Sequence, residues 1–588
     1  MLASQAIILH ERGLTERESR LGRILEFFGV PWKPVALSEL ESVDWSSARY
    51  AAFGSIQAVA AALDRTGDAV PCTAFFAYLS GDRSTSEIQL RGLTGRSDLT
   101  LQSAPEQKVR VSVTGGMGQI TGPMSGLEFD LKLSDGDAVV ASKTSGGTEP
   151  FAAIISAAGS PLFLCFERNG ASVYVSASSE IVDIDQPVPK GFYDIKKHFC
   201  GAVPLMMFVR HAFAGAAWSP QELGACLIID DPLLKPRYGF CDFPKLQTLM
   251  QGHRFNTNIS FIPWNWRRTS PSAAEFFKRQ AAFFSVSIHG CDHIAGEFGA
   301  TSADILDARA RLAQSRMKEH EARTGVHHDP VMVFPQGVFS SRCPEALKRN
   351  GFLAAVNTET LPVDGTNART RVRDVWDVAI MSYGGFPVFT RRYAFHGVEN
   401  FAFDLLLGKP CLIVSHHDFF KDGGDELLAL VDRLHGLNCS LRWQSLGDVV
   451  RGACRRRSNG EGGEEIEMYG TELRLTNPMD RAVEVKVRKR DTSPEVVAQV
   501  FLEGQAIAWT TEGDYLVFSG LMPARGEVRF RVMYQGQSRS AELPQSIRYR
   551  ISVAVRRILS EFRDDYLSRS RFLASTAATV KTVVGGRG

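Results

Sequence analysis

The chain has 588 residues, 44% of them apolar and 22% charged, so it can bury several full cores and is neither disordered, collagenous nor a small disulfide-stapled scaffold. Lys and Arg total 67 against 65 Asp and Glu, a net charge of +2, which leaves no electrostatic footprint for nucleic-acid binding. Ten cysteines with no Cys-x-x-Cys spacing exclude zinc-ribbon and thioredoxin motifs and point to buried, reduced thiols.

The first twelve residues carry no basic n-region and too short an apolar stretch for a signal peptide. No run of about 18 uncharged apolar residues predicts a transmembrane helix, and the expected location is cytoplasmic. Residues 6–9 read as a buried strand, and Leu21, Ile24, Leu25 and Phe28 as a helix stopped by Gly29. A second strand is expected at 35–37 and a third at 51–54, followed by a helix over 56–63. Strands alternating with helices imply a parallel sheet. From 108 to 180 the pattern shifts to strands, for example 109–113 and 171–176. Thr114-Gly-Gly-Met-Gly118 lacks the G-x-G-x-x-G spacing and reads as a hairpin turn, not a phosphate loop. Residues 1–205 are thus expected to form an N-terminal α/β domain that resembles flavodoxin-like or glutamine-amidotransferase-like folds. It has no Gly-x-Cys-x-Gly elbow, so no amidotransferase activity is expected.

Residues 222–454 alternate strand-like runs (226–229, 258–262, 283–288, 331–334, 354–356 and 411–414) with helical stretches, which predicts a parallel barrel close to the (β/α)₈ type. Residues 455–465, Arg-Arg-Arg-Ser-Asn-Gly-Glu-Gly-Gly-Glu-Glu, read as a polar linker. Short strands at 483–487, 496–501, 515–518 and 528–532 make residues 466–542 a small β-sandwich. A basic amphipathic helix closes the chain over 546–582. The fold class is therefore multidomain α/β: an N-terminal α/β domain, a central β/α barrel and a C-terminal β-sandwich plus helix.

Polar clusters stand at the ends of the barrel runs, where functional residues of such barrels gather. They are Asp230-Asp231, then His289-Gly-Cys-Asp-His293, then Phe334-Pro335-Gln336-Gly337, and Ser415-His416-His417-Asp418. Adjacent carboxylates repel unless a cation lies beside them. His289 and His293 have the i, i+4 separation that lets two imidazoles meet one divalent metal, and two His with one carboxylate leave open positions, as catalytic sites do. His416, at a strand end, suits a general acid. His417 competes for that role, because adjacent strand residues face opposite sides and only one points inward.

In order and spacing these clusters resemble the polysaccharide deacetylases, carbohydrate esterases with a distorted β/α barrel, over about 230 of the 588 residues. The counterparts are Asp230-Asp231, His289 to His293, Phe334-Pro335-Gln336-Gly337, and Leu412 to His416. The segment 346–357 is also similar to the helix and strand after that family's third motif. Gly290 stands where the family has Ser or Thr, and Val333 where it has an Arg that orients the base. Arg371 and Arg373 are the candidates for a replacement charge.

The resemblance implies a hydrolase acting on carbon-nitrogen bonds, a metal-dependent deacetylase removing N- or O-acetyl groups from a carbohydrate. Asp231, His289 and His293 would hold a divalent metal, usually zinc. Asp230 would be the base and His416 the acid, with Pro335, Gly337 and Leu412 lining the substrate. Trp264 and Trp266, in a loop after a barrel run, are candidates to stack on sugar rings. The alternatives are a non-catalytic carbohydrate-binding or polysaccharide-assembly protein on a decayed barrel, and a glycoside hydrolase using Asp292 or Asp418. His327-His328-Asp329 is expected in a solvated loop at the opposite barrel end. Ile547, Ile551, Val555, Ile558 and Phe562 form one apolar stripe on a helix rich in Arg. Two readings stay open for it: packing on the protein with the basic face in water, or peripheral contact with a membrane surface or assembly complex.

Overall fold

The computed structural model describes residues 3–44, 47–66, 72–103, 107–142, 151–365, 370–460, 462–493, 496–536 and 546–567. Residues 537–542 of the expected sandwich and 568–582 of the expected helix, with Arg569 and Arg571, lie outside them.

The fold is multidomain α/β around a nearly closed parallel barrel. Its strands are β1 (Leu223–Asp230), β2 (Thr257–Phe261), β3 (Phe284–His289), β4 (Val331–Val333), β5 (Ala354–Asn357), β6 (Val388–Thr390), β7 (Arg392–Tyr393) and β8 (Cys411–Ser415). Neighbours pair in chain order from β1 to β6, β7 pairs β8, and β8 pairs back to β1, all parallel. Only β6 and β7 are unpaired with each other, and Arg391 alone joins them. The six predicted runs are six of these strands. β6 and β7 escaped because runs of three and two residues are too short to show a period.

Side chains alternate across a strand. On β1, Ala225, Leu227 and Ile229 point outward into the core shared with the surrounding helices, while Cys226 and Ile228 point inward. The inward set continues with Val331, Val333, Ala354, Val356 and Leu412, and Leu446, Val449 and Val450 of the helix Leu446–Gly452 plug the bottom. One inner wall is polar: Asn258 donates to Ser287 Oγ at 2.8 Å and accepts from Ser285 Oγ at 3.1 Å. Two of these residues, Asn258 and Ser287, are fully buried, so their polar groups must be paired, and they are.

The N-terminal sheet has the order Trp32–Ala36, Gln5–His10, Tyr50–Ser55, Cys72–Tyr78, Ala171–Ser176, Ser160–Arg168, Ala152–Ala157, Val109–Val113, Glu128–Leu131. The first five strands run parallel and the rest pair antiparallel, so most strands after residue 108 extend this one sheet, while Ala138–Ser142 pairs with Leu99–Ser103 in a separate two-stranded sheet. The helix Phe199–Ala212 is buried along most of its length and belongs to a core that runs on into the barrel helices.

The sandwich packs a six-stranded sheet on a four-stranded one. The expected linker 455–465 is instead mostly strand: Cys454–Ser458 pairs with Glu464–Met468. Its arginines are not solvated but paired across strands, Arg456 with Glu464 and Arg457 with Glu465, and Arg455 is buried 3.1 Å from Asp377. His328 and Asp329 are also buried and not in a solvated loop. Asp329 accepts from Gly447 N at 2.9 Å and so holds the plug helix.

Candidate metal centre

Asp230 ends β1 on the inward parity and is 2% exposed. Such a buried carboxylate needs a partner. Arg391, 4% exposed, provides a bidentate fork, with Nη1 donating to Oδ1 at 2.7 Å and Nη2 to Oδ2 at 2.6 Å. Burial pushes Asp230 up, but Arg391 and His289 outweigh it and hold the carboxyl below its usual range. The charge that the third motif lacks therefore comes from the junction of β6 and β7. Arg371 and Arg373 do not supply it: both pair with Asp185, at 3.4 and 2.6 Å.

Asp231 leaves the strand in the left-handed region, at φ 80°. That turn aims a second carboxylate at the mouth, which a regular strand would send outward. His289 ends β3, and its Nδ1 lies 3.0 Å from the Val333 carbonyl. A carbonyl only accepts, so Nδ1 carries the proton and Nε2 offers its lone pair. Burial pushes His289 down to about 4, which keeps that lone pair free at neutral pH.

The chain then turns sharply through Gly290, at φ 67°. A Cβ there would meet Pro335 Cγ at 2.5 Å and Glu297 Oε2 at 2.6 Å, so no serine fits. Glu297, 2% exposed, accepts from the backbone N–H groups of Cys291, Asp292 and His293 at 2.9, 2.6 and 3.1 Å. It shapes the loop that presents His293, itself at φ 55°. Nothing in the sequence separated Glu297 from other acids.

Asp231, His289 and His293 offer donor atoms within 4.8 Å of one another. His293 Nε2 lies 3.1 Å and His289 Nε2 3.6 Å from Asp231 Oδ1. Donors about 2.1 Å from a tetrahedral ion stand about 3.4 Å apart, so the set has the dimensions of a cation cradle. Asp231 Oδ1 is buried without a hydrogen-bond partner, as an oxygen reserved for a cation is.

His416 follows β8 on the inward parity, and its charge would stabilise both Asp230 and Asp231 as anions. His417 turns the other way, against Tyr238 and Phe240, 3.5 Å from Asp564. Pro335 packs under Gly290, and Gly337 accepts from Asn357 Nδ2 at 2.9 Å. Leu412 is not a lining residue: it is 2% exposed, two inward positions below His416, in the barrel core. Trp264 N donates to the Cys291 carbonyl at 3.0 Å in the loop between His289 and His293, but Arg268 and Arg267 stack over the Trp264 and Trp266 rings at 5.6 and 4.3 Å. The aromatic surface beside His416 is instead Tyr393, Phe395 and Phe419. The Phe395 and Phe419 centroids lie 5.0 and 6.5 Å from that of Tyr393, and Phe395 is 64% exposed.

The C-terminal helix, Ile547–Phe562, crosses the mouth. Its polar side faces in: Tyr549 donates to Asp292 at 2.7 Å, and the turn after it brings Asp564 to Tyr238 Oη at 2.8 Å. Arg557 is buried under the helix, where Asp231 and Tyr238 favour its charge against the burial that lowers it. Packing through an apolar stripe is thereby corrected, because the stripe faces away.

No protein-family model matches the chain, and no curated protein matches it in sequence. Among solved structures it is similar to Agd3, described as a novel carbohydrate deacetylase, at 9% identity and TM-score 0.46, covering 90% of this chain and 98% of that one. It is also similar to a family 4 carbohydrate esterase from Bacillus anthracis, at 16% identity and TM-score 0.25, covering 40% of this chain and 86% of that one. The peptidoglycan deacetylase PdaC from Bacillus subtilis aligns at 9% identity and TM-score 0.25, over 40% of this chain and 93% of that one.

Proposed function

We propose that this chain hydrolyses acetyl groups, N-linked foremost, from a carbohydrate at a bound divalent cation. One observation carries the reading. A three-donor cradle, a carboxylate clamped by a guanidinium and a histidine beside both meet at one barrel mouth.

Asp231, His289 and His293 hold the cation, and three protein donors leave positions open. Their N and O donors suit zinc. When bound, the cation supplies Lewis acidity toward an acyl carbonyl and acidifies water. Asp230 takes the proton from the attacking water. Arg391 keeps Asp230 ionised and, by gripping both oxygens, stops it rotating as the proton arrives. His416 gives a proton to the departing amine, so the products are acetate and a free amino sugar. Tyr393, Phe395 and Phe419 offer ring faces for the sugar.

Glycoside hydrolysis needs a second carboxylate at the mouth. Asp292 is already bound by Arg316 at 2.6 Å and by Tyr549, which disfavours that reading. The test is to incubate the zinc-loaded protein with N-acetylated oligosaccharides and measure acetate and new reducing ends. Acetate without reducing ends is expected, and Asp230→Asn should lower its release about a thousandfold with zinc content unchanged. Reducing ends without acetate would establish the glycosidase instead. Release of neither product across such a panel would leave the decayed, binding-only barrel.

A further inference from the structure

The apolar stripe of the C-terminal helix has no cover. Ile547, Ile551, Val555, Ile558, Leu559 and Phe562 are 49–76% exposed. Among the described residues, fourteen large apolar side chains are exposed, and these six share one helix while the others are scattered. Scattered exposed apolar residues need no explanation, but a contiguous ridge does.

The inner side of the same helix is satisfied. Tyr549 bonds Asp292, Glu561 pairs with Lys235 and Arg268, and Val553 and Arg557 are buried. Asp565, in the following turn, accepts from Gly239 N at 2.6 Å. The helix is therefore held to the barrel by its polar side, and the ridge is what it presents outward. Arg548, Arg550, Arg556 and Arg563 are exposed around that ridge, Arg563 also bonding Asp564 at 2.7 Å. The helix itself carries one acid, Glu561, and it faces inward.

We propose that this helix seats the protein on an anionic bilayer surface, with the ridge among the acyl chains and the arginines among the headgroups. Charge complementarity selects this occupant: an apolar ridge edged by cations and free of outward acids fits a negatively charged, apolar-cored surface. No rearrangement is required, since the docking side and the inner side are different sides of one helix. Seated so, the metal-site mouth lies about one helix diameter, about 10 Å, from the headgroups. The proposal does not rest on catalysis, and its test reads binding alone.

The test is flotation of the full-length protein with vesicles of phosphatidylcholine, or of phosphatidylcholine with an equal amount of phosphatidylglycerol. Binding to the anionic vesicles is expected, weakening with salt. The triple variant Ile551→Asn, Val555→Asn, Leu559→Asn should abolish it, and each of Arg548→Gln and Arg556→Gln should weaken it about fivefold. All these positions are exposed, and unchanged zinc content and thermal midpoint check that the variants remain folded. Equal flotation of wild type and triple variant, or equal binding to both vesicle types, overturns the proposal. So does a lipid-free dimer that the triple variant converts to monomer, which would make the ridge a contact between copies.

Discussion

At the residue scale, the centre depends on side chains that hold other side chains. Arg391→Lys keeps the charge and loses the fork. We expect turnover to fall about tenfold to a hundredfold with zinc content unchanged, and the acid limb of the pH–rate profile to move upward. The direction follows because Arg391 is the foremost group lowering Asp230, so weakening it lets the carboxyl protonate at higher pH. An unshifted acid limb would separate Arg391 from the base. Gly290→Ser forces a Cβ into Pro335 and Glu297, and zinc affinity should drop while the rest of the fold survives, read by metal titration beside circular dichroism. Asp231, His289, His293 and His416 were legible because each ends or follows an apolar run long enough to show. Arg391 was not, because the strands flanking it are two and three residues long and begin after a Gly-Gly-Phe-Pro stretch. Leu412 was misplaced for a related reason: a motif gives spacing along a strand, not depth inside a barrel.

At the scale of elements, burial decides what charge patterns alone could not. The Arg-rich stretch 455–457 read as part of a polar linker because cross-strand acids are invisible along the chain. The apolar residues of the C-terminal helix share one stripe, but which side meets the protein depends on partners such as Asp292 and Tyr238, remote in sequence. Beneath the helix, Arg557 puts a cation near Asp231. Arg557→Gln should raise zinc affinity roughly fivefold, the worth of about 1 kcal/mol of charge repulsion, as measured by competition with a chelator. In the sandwich, Lys489 is fully buried and donates to the Gly385 and Tyr469 carbonyls, each at 3.0 Å. Burial pushes it down to about 7. Between about pH 7 and 10.5 the unfolded chain then holds a proton that the folded chain lacks, so stability from this group rises with pH across that window. Thermal midpoints measured over this range should climb more steeply for the wild type than for Lys489→Met.

At the scale of the molecule, the barrel was readable because its longer runs alternate with helices, whereas how the N-terminal sheet meets it was not. That contact is a continuous core with buried polar ties. Arg392 donates to the Tyr193 carbonyl at 3.0 Å, and Ile195 N donates to Asn400 Oδ1 at 2.9 Å. Calorimetry should accordingly find the N-terminal region and the barrel melting in one transition, and two separated transitions would show them to be independent units.

The single-residue junction between β6 and β7 also bears on how the protein would fail. A cask opens first at the stave with the fewest fastenings. Here β4 pairs as briefly as the β6–β7 segment, but both of its seams are closed, whereas the seam at Arg391 has no ladder and is flanked by three registered residues against β5 and two against β8. The backbone amides of 388–393 should therefore exchange with deuterium ahead of the other staves. Loosening there frees Arg391 from Asp230 while most of the helix and sheet content stays in place. Mild warming or dilute urea should thus silence the proposed acetyl hydrolysis before far-ultraviolet dichroism registers any loss, and cooling or dilution should restore it.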